Sequence, residues 1–246
     1  MTKALAKKGR AAATAITNAL GLKKSAGPMD DYSGRIDSAL DAYDWDWRDL
    51  DPIIEPYLAG VAVAAGTDAL SDFGLFDEST LALMRRDAVA YAMDRAAEMV
   101  GMQRHGELLL PNSNADWTIA DATRDMLRGL VTDALDEGWS PQELKSAIRE
   151  SAGFGADRAE TIARTELAMA DTKGTISGWK ATGLVAGKQW DAAPDCCDEC
   201  QMIDGLVVGI DEEFPDGDPP LHPNCRCSVE AVLENELPDH GDDSED

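Results

Sequence analysis

The chain has 246 residues, 22 Lys+Arg against 47 Asp+Glu, and a formal charge of −25. Hydrophobic residues make up 44%, enough to bury a core and to exclude a simply disordered chain. The acidic balance argues against broad nucleic-acid binding by the body of the protein. No run approaches the roughly 18 consecutive apolar residues of a membrane span, so no membrane partner is expected. The N-terminal segment lacks the uninterrupted apolar stretch of a secretory signal.

The charge is uneven. Residues 1–24 hold Lys3, Lys7, Lys8, Arg10, Lys23 and Lys24 and no acid, so this +6 segment leaves −31 on the remainder. Five of the nine lysines lie in it, and Asp outnumbers Glu by 31 to 16. An Asp-rich, Lys-poor body is what a protein needs to stay soluble where salt screens ordinary repulsion. The composition points to a halophilic source; the alternative is an ordinary acidic protein.

In chain order, residues 3–22 read as an Ala-rich helix ending near Gly21, with Lys23 and Lys24 favouring its negative end. Residues 1–24 are expected to form a basic arm that contributes attachment and not fold. A linker follows at Lys24-Ser-Ala-Gly-Pro28, and residues 28–114 form a helical region of unassigned role. Tyr43, Trp45 and Trp47 alternate with Asp44 and Asp46. They either anchor a short amphipathic piece to the helices or form an exposed docking patch.

Residues 78–101 read as a helix, with Leu81, Met84, Ala88, Tyr91 and Met99-Val100 recurring at three-to-four spacing. This stripe is the other candidate docking surface. Residues 116–137 carry the apolar stripe Ile119, Ala122, Met126, Leu127, Leu130, Val131 and Leu135, closed by Gly138. Ser140-Pro-Gln-Glu143 supplies an N-cap, a Pro at the first turn and a capping Glu, so a new helix starts there. It is broken at Gly153 and Gly155, and a long helix runs from about 156 to 181.

After Gly183 the pattern changes to short strands at 184–191, 205–210 and 225–233, separated by a Pro/Asp/Gly loop. The tail 234–246 holds seven acids and no Lys or Arg and is expected to be disordered. The fold class is therefore α+β: a mainly helical N-terminal two-thirds and a small β-rich, zinc-binding C-terminal lobe at about 184–233.

All five cysteines fall between 196 and 227. Cys197-x-x-Cys200 presents two thiolates to one ion, and His222-x-x-Cys225 is a second close pair downstream. Close pairs of this kind match a tetrahedral zinc site, and a lobe with little core of its own gains most from a metal staple. Free thiols and a disulfide or redox pair are the competing readings. The fourth ligand is open: Cys225 and Cys227 fall two apart on the expected strand, about 7 Å apart, too far to share an ion unless the strand start curls. Cys196 points elsewhere and counts as a bystander. His105-Gly-Glu107 together with the Cys pair weakly matches a zinc deaminase, without the expected Pro or spacing. Thiolate-rich ligation points to a closed, structural site.

Ile162-Ala-Arg-Thr-Glu166 on a helix is followed by Trp179-Lys180, Lys188-Gln-Trp190, Asp195 and Cys197-x-x-Cys200. Then come Asp204-Gly205, Phe214 and Pro219-Pro-Leu-His-Pro-Asn-Cys-Arg-Cys227. In order and spacing this resembles the phage Mu F-like minor head protein family over residues 115–233. The doubled Cys196-Cys197 departs from that pattern. The resemblance implies a virion protein at the portal vertex of a tailed double-stranded DNA phage, acting in head assembly or genome delivery and not as an enzyme. Its partners would be the portal or an adjacent head protein, with packaged DNA a further partner through the basic N-terminus. Arg164 and Glu166 form a family-motif polar pair, readable as a hinge between helix and lobe. Trp190 is expected to plug the core under the zinc loop, and Arg226 to pair with Asp195 or Asp198. The alternative function is a zinc-dependent hydrolase-like or toxin-related enzyme.

Overall fold

A computed structural model of the chain describes residues 1–20, 32–75, 77–115 and 118–237. Residues 21–31 and 238–246, which hold the expected linker and most of the acidic tail, lie outside that set. The chain divides into two compact units, Met1–Glu55 with Asp94–Ile162, and Pro56–Met93 with Ala163–Asp246.

The first unit is mainly helical. α1 (Thr2–Leu20) packs on α2 (Tyr32–Asp41) and on α6 (Pro141–Glu150), and α2 packs on α5 (Ile119–Asp136). The capping box read from sequence is in place: Ser140 and Glu143 cap α6 reciprocally. α5 starts at Ile119, with Thr118 Oγ1 accepting the Asp121 N–H, a cap the sequence reading did not name.

α1 is part of this core and differs from the arm expected from its charge. Leu5, Ala12, Ala13 and Ile16 are fully buried. Lys8 sits over the Trp47 ring at 5.3 Å and pairs with Asp49 at 2.6 Å. A Cβ on Gly9 would lie 2.7 Å from the Phe154 ring, so Gly lets α1 approach closely. Its apolar face was legible; its basic face drew the reading toward a detached segment.

The aromatic run also resolves toward the core. Trp47 is fully buried and Tyr43 nearly so, Tyr43 meets Trp45 edge-on at 4.9 Å, and Trp47 packs against Phe154. Burial pushes the Tyr43 hydroxyl up to about 12. The reading of Trp45 and Trp47 as a docking patch is therefore corrected: Trp47 has no surface to offer. The stripe of α4 (Glu78–Met99) is largely internal: Met84, Ala88, Met99 and Val100 are buried, and Leu81 and Tyr91 are half-buried. Beyond α4, a hairpin absent from the sequence reading pairs β1 (Met102–His105) with β2 (Leu108–Pro111). Arg104 ties it to Asp51 and Glu55 at 3.0 and 3.1 Å.

In the second unit, residues 56–72 of α3 (Asp51–Asp72) and residues 163–182 of α7 (Ala156–Thr182) run close together over small residues. A Cβ on Gly174 would meet the Ala62 carbonyl oxygen at 2.1 Å, and one on Gly178 the Gly66 oxygen at 2.5 Å. Among the described residues, the stretch Arg48–Asp72 is long and apolar enough to cross a membrane by length and composition. Its Ala62, Ala65, Ala69 and Leu70 are buried, which a core helix packed on a glycine-lined neighbour requires.

The lobe is a three-stranded antiparallel sheet in the order β4-β3-β5. β3 (Val185–Asp191) is central, with Lys188 opposite Val208 of β4 (Val207–Gly209) and Ala231 of β5 (Ser228–Leu233). α7 covers it through Ile176 and Trp179, which pack with Val185, Val229, Ala231 and Leu233.

Candidate metal centre

The lobe brings all five expected ligand residues together. β3 ends at Asp191, and a short turn leads to Cys197, the N-cap of α8 (Asp198–Met202). The Cys200 backbone N–H donates to the Cys197 thiol and lowers its pKa, the behaviour of a metal-binding knuckle. Asp204-Gly205 then turns the chain back. Gly205 takes φ +77°, which only glycine adopts freely, and its N–H donates to the Trp190 carbonyl at 2.9 Å. Asp204 Oδ1 accepts the Ala192 N–H, so the turn after the knuckle is pinned to the end of β3 and to the residue that follows it.

The second half of the site comes from residues 221–227. β5 begins at Ser228 and not at Cys225. Asn224 takes φ +61°, and the Cys225 N–H donates to the His222 carbonyl at 3.1 Å. This turn curls the chain ahead of the strand and removes the alternation that would have held the two thiols apart. The expected 7 Å separation is thereby corrected.

Two groups of converging donors result: Cys197, Cys200 and His222, and Cys200, Cys225 and Cys227, with the ligand atoms of each group within 4.8 Å of one another. Cys200 belongs to both. His222 Nε2 lies 3.3 Å from Cys197 Sγ and 3.5 Å from Cys200 Sγ, and Cys200 Sγ lies 3.8 Å from Cys225 Sγ. Tetrahedral bonds of about 2.3 Å to sulfur and 2.05 Å to nitrogen require edges of about 3.8 Å between sulfurs and 3.6 Å from sulfur to nitrogen. The donor set therefore fits a metal ion in chemistry and in spacing. His222 Nδ1 lies 3.1 Å from the Pro223 carbonyl, so the proton belongs on Nδ1 and the Nε2 lone pair faces the thiols. Burial raises the pKa of Cys200, whose thiol is closed off from solvent.

Cys196 belongs to neither group, and its thiol faces Gln201 at 3.7 Å. His105 and Glu107 lie on or beside β1 in the other unit and join neither group. Trp190, 1% exposed, packs edge-on against Phe214 at 5.2 Å and lies with Cys200, Cys225 and Cys227 in one buried cluster. Arg226 pairs with Asp195 across the mouth.

Two supports escaped sequence reading. The first is Thr165, at the centre of the Arg-Thr-Glu element. It is buried, and its hydroxyl accepts the Asn224 N–H at 3.2 Å, fixing the turn between His222 and Cys225 to α7. Arg164 is exposed and Glu166 buried on either side of that contact.

The second is Asp218, 4% exposed, held by Lys188 at 2.5 Å and Lys173 at 2.7 Å. Burial alone would raise its pKa; the two ammonium groups overcome this and hold it below the usual carboxylate range. Lys180 pairs with Asp211. Three of the four lysines beyond residue 24 thus clamp the loop that carries His222. Their presence in a stretch otherwise poor in Lys was the available signal.

A family model described as Phage Mu protein F like protein matches residues 125–230. An uncharacterized protein of Bacillus subtilis (strain 168), YqbB, is 24% identical over 133 residues, 47% of this chain and 44% of that protein. The chain thus spans less than half the length of that relative. No solved structure matches. The matched segment takes in α7, the knuckle, the Asp218 clamp and the His222–Cys227 turn. Residues 125–230, the C-terminal part of the chain, are similar to the Phage Mu protein F like family.

Proposed function

We propose that the protein is a structural minor head protein of a tailed double-stranded DNA phage, bound near the portal vertex and acting in head assembly or genome packaging and delivery. The match of residues 125–230 to the Phage Mu protein F like family supports the head role. In this reading the C-terminal lobe is stapled by one structural zinc ion whose ligands come from Cys197, Cys200, His222, Cys225 and Cys227. Two converging groups of three donors that share Cys200, with contacts near tetrahedral edge lengths, are the observation that carries it. Bound zinc would supply a closed coordination sphere that holds the knuckle to the returning loop; a catalytic ion would need an open position and a neighbouring base. The partner is the portal or an adjacent head protein, and Arg164 and Glu166 act as the polar hinge between helix and lobe.

Packaged DNA is a second partner, through Lys3, Lys7 and Arg10. These lie on the exposed face of α1 and form no ion pair among the described residues. The charge imbalance supports a halophilic host. Mass spectrometry of purified virions, with zinc analysis of the isolated protein, tests the reading. The protein should be found at few copies per particle with one zinc per chain, and its absence from assembling and mature heads would reject the role.

A further inference from the structure

Cys200 is the donor that the two groups of the metal centre share. It lies with Cys197 and His222 in one group and with Cys225 and Cys227 in the other. Each group holds three donors, so the loss of Cys200 leaves neither with more than two. Cys200 is fully buried, whereas Cys197 is exposed, and their thiols lie within 4.8 Å of one another. A small pocket open to solvent is lined by Cys197, His222 and Arg226 and not by Cys200. A small oxidant therefore meets Cys197 first, with Cys200 behind it.

We propose that the Cys197–Cys200 pair is an oxidation site, at which hydrogen peroxide converts the knuckle to a disulfide and the metal ion is lost. The proposal rests on the zinc reading above. In the zinc-loaded lobe both sulfurs are held as thiolates. The Cys197 thiolate attacks one peroxide oxygen, the O–O bond breaks and hydroxide leaves, so Cys197 becomes a sulfenic acid. The Cys200 thiolate then attacks that sulfur, forms the S–S bond and expels a second hydroxide. Two thiolates are oxidised, one peroxide is reduced, and each hydroxide takes a proton from solvent to become water. The formal charge of −25 disfavours an anionic oxidant such as glutathione disulfide, while a neutral peroxide meets no such barrier.

One bond takes Cys200 from both groups and Cys197 from the outer one. His222 is left alone on one side and Cys225 with Cys227 on the other. Neither set supplies the four donors of a structural zinc site. The turn at Asn224 stays tied to α7 through Thr165, so opening is confined to the knuckle and the mouth. Cys196, whose thiol faces Gln201, takes no part.

Zinc-loaded full-length wild type and Cys196→Ser, which leaves both donor groups intact, would be titrated with hydrogen peroxide. Released zinc is read with a chromogenic chelator, and disulfides are mapped by mass spectrometry after free thiols are blocked. Cleavage after Glu199 separates Cys197 from Cys200, so their peptides stay joined only through the disulfide. Each Cys197–Cys200 disulfide should release one zinc, in wild type and Cys196→Ser alike. Dithiothreitol with added zinc should restore one ion per chain. An ion that survives peroxide, irreversible release, release without that disulfide, or a disulfide formed instead at Cys196–Cys197 or Cys200–Cys225 overturns the proposal and leaves the zinc reading standing. Wild type that binds no zinc before oxidation removes both.

Discussion

The hydroxyl of Thr165 on α7 accepts the backbone N–H of Asn224, so a mid-helix side chain holds the turn on which His222 and Cys225 depend. Asn224 is the one described non-glycine residue with positive φ, and a backbone conformation of that kind persists only where its surroundings fix it. Thr165→Val keeps the volume and strands the Asn224 N–H. It should cost about 1–3 kcal/mol, read as a lower Tm and faster proteolysis within 211–227, whereas Thr165→Ser should stay near wild type.

The Asp218 clamp should fail in a defined pH window. A carboxyl whose pKa is lower folded than unfolded contributes stability that is fully present above the unfolded value, about 3.9. That contribution is lost as pH falls through the lower folded value. Wild type should therefore lose stability in this acid range, and Asp218→Asn should show a flatter profile there. Lys188→Met leaves the buried carboxylate with Lys173 alone and should cost about 3–5 kcal/mol at neutral pH.

Burial of α1 makes a further test. Leu5→Ala or Ile16→Ala should each cost about 2–5 kcal/mol, and deletion of residues 1–20 should lower Tm sharply. Lys3→Ala with Lys7→Ala, on the exposed face, should leave stability within about 0.5 kcal/mol of wild type while weakening DNA contact in low salt. Unchanged stability on deletion would return α1 to the status of a separate arm.

Legibility followed local chemistry. The start of α6 was readable because Ser140 and Glu143 act within one helical turn. The cysteine pairs were readable for the same reason. What was missed depends on distant partners. α3 carries apolar residues on its exposed side as well, Ile53 and Tyr57 among them, so it lacks the polar face that marks a helix in sequence. Leu108-Leu109-Leu110 of β2 shows no alternation, since the hairpin exposes Leu108 and Leu110. The start of β5 shifted because an Asn at positive φ curls residues 221–227, and a left-handed Asn carries no strong sequence mark.

The acidic surface predicts a salt response. If the −31 outside residues 1–24 reflects adaptation to salt, Tm should rise steadily from low to multimolar salt as repulsion is screened. Equal stability across that range would remove the halophilic reading while leaving the metal centre untouched.

The most direct measurement is zinc stoichiometry of the full-length chain before and after chelation, followed by near-UV CD and limited proteolysis. One zinc per chain is expected. Its removal should abolish the signal of Trp190 and open residues 184–233 to protease while the helices upstream persist, because structural zinc contributes on the order of 10 kcal/mol to a small lobe. Unchanged near-UV CD and unchanged protease resistance after complete chelation would contradict the metal centre.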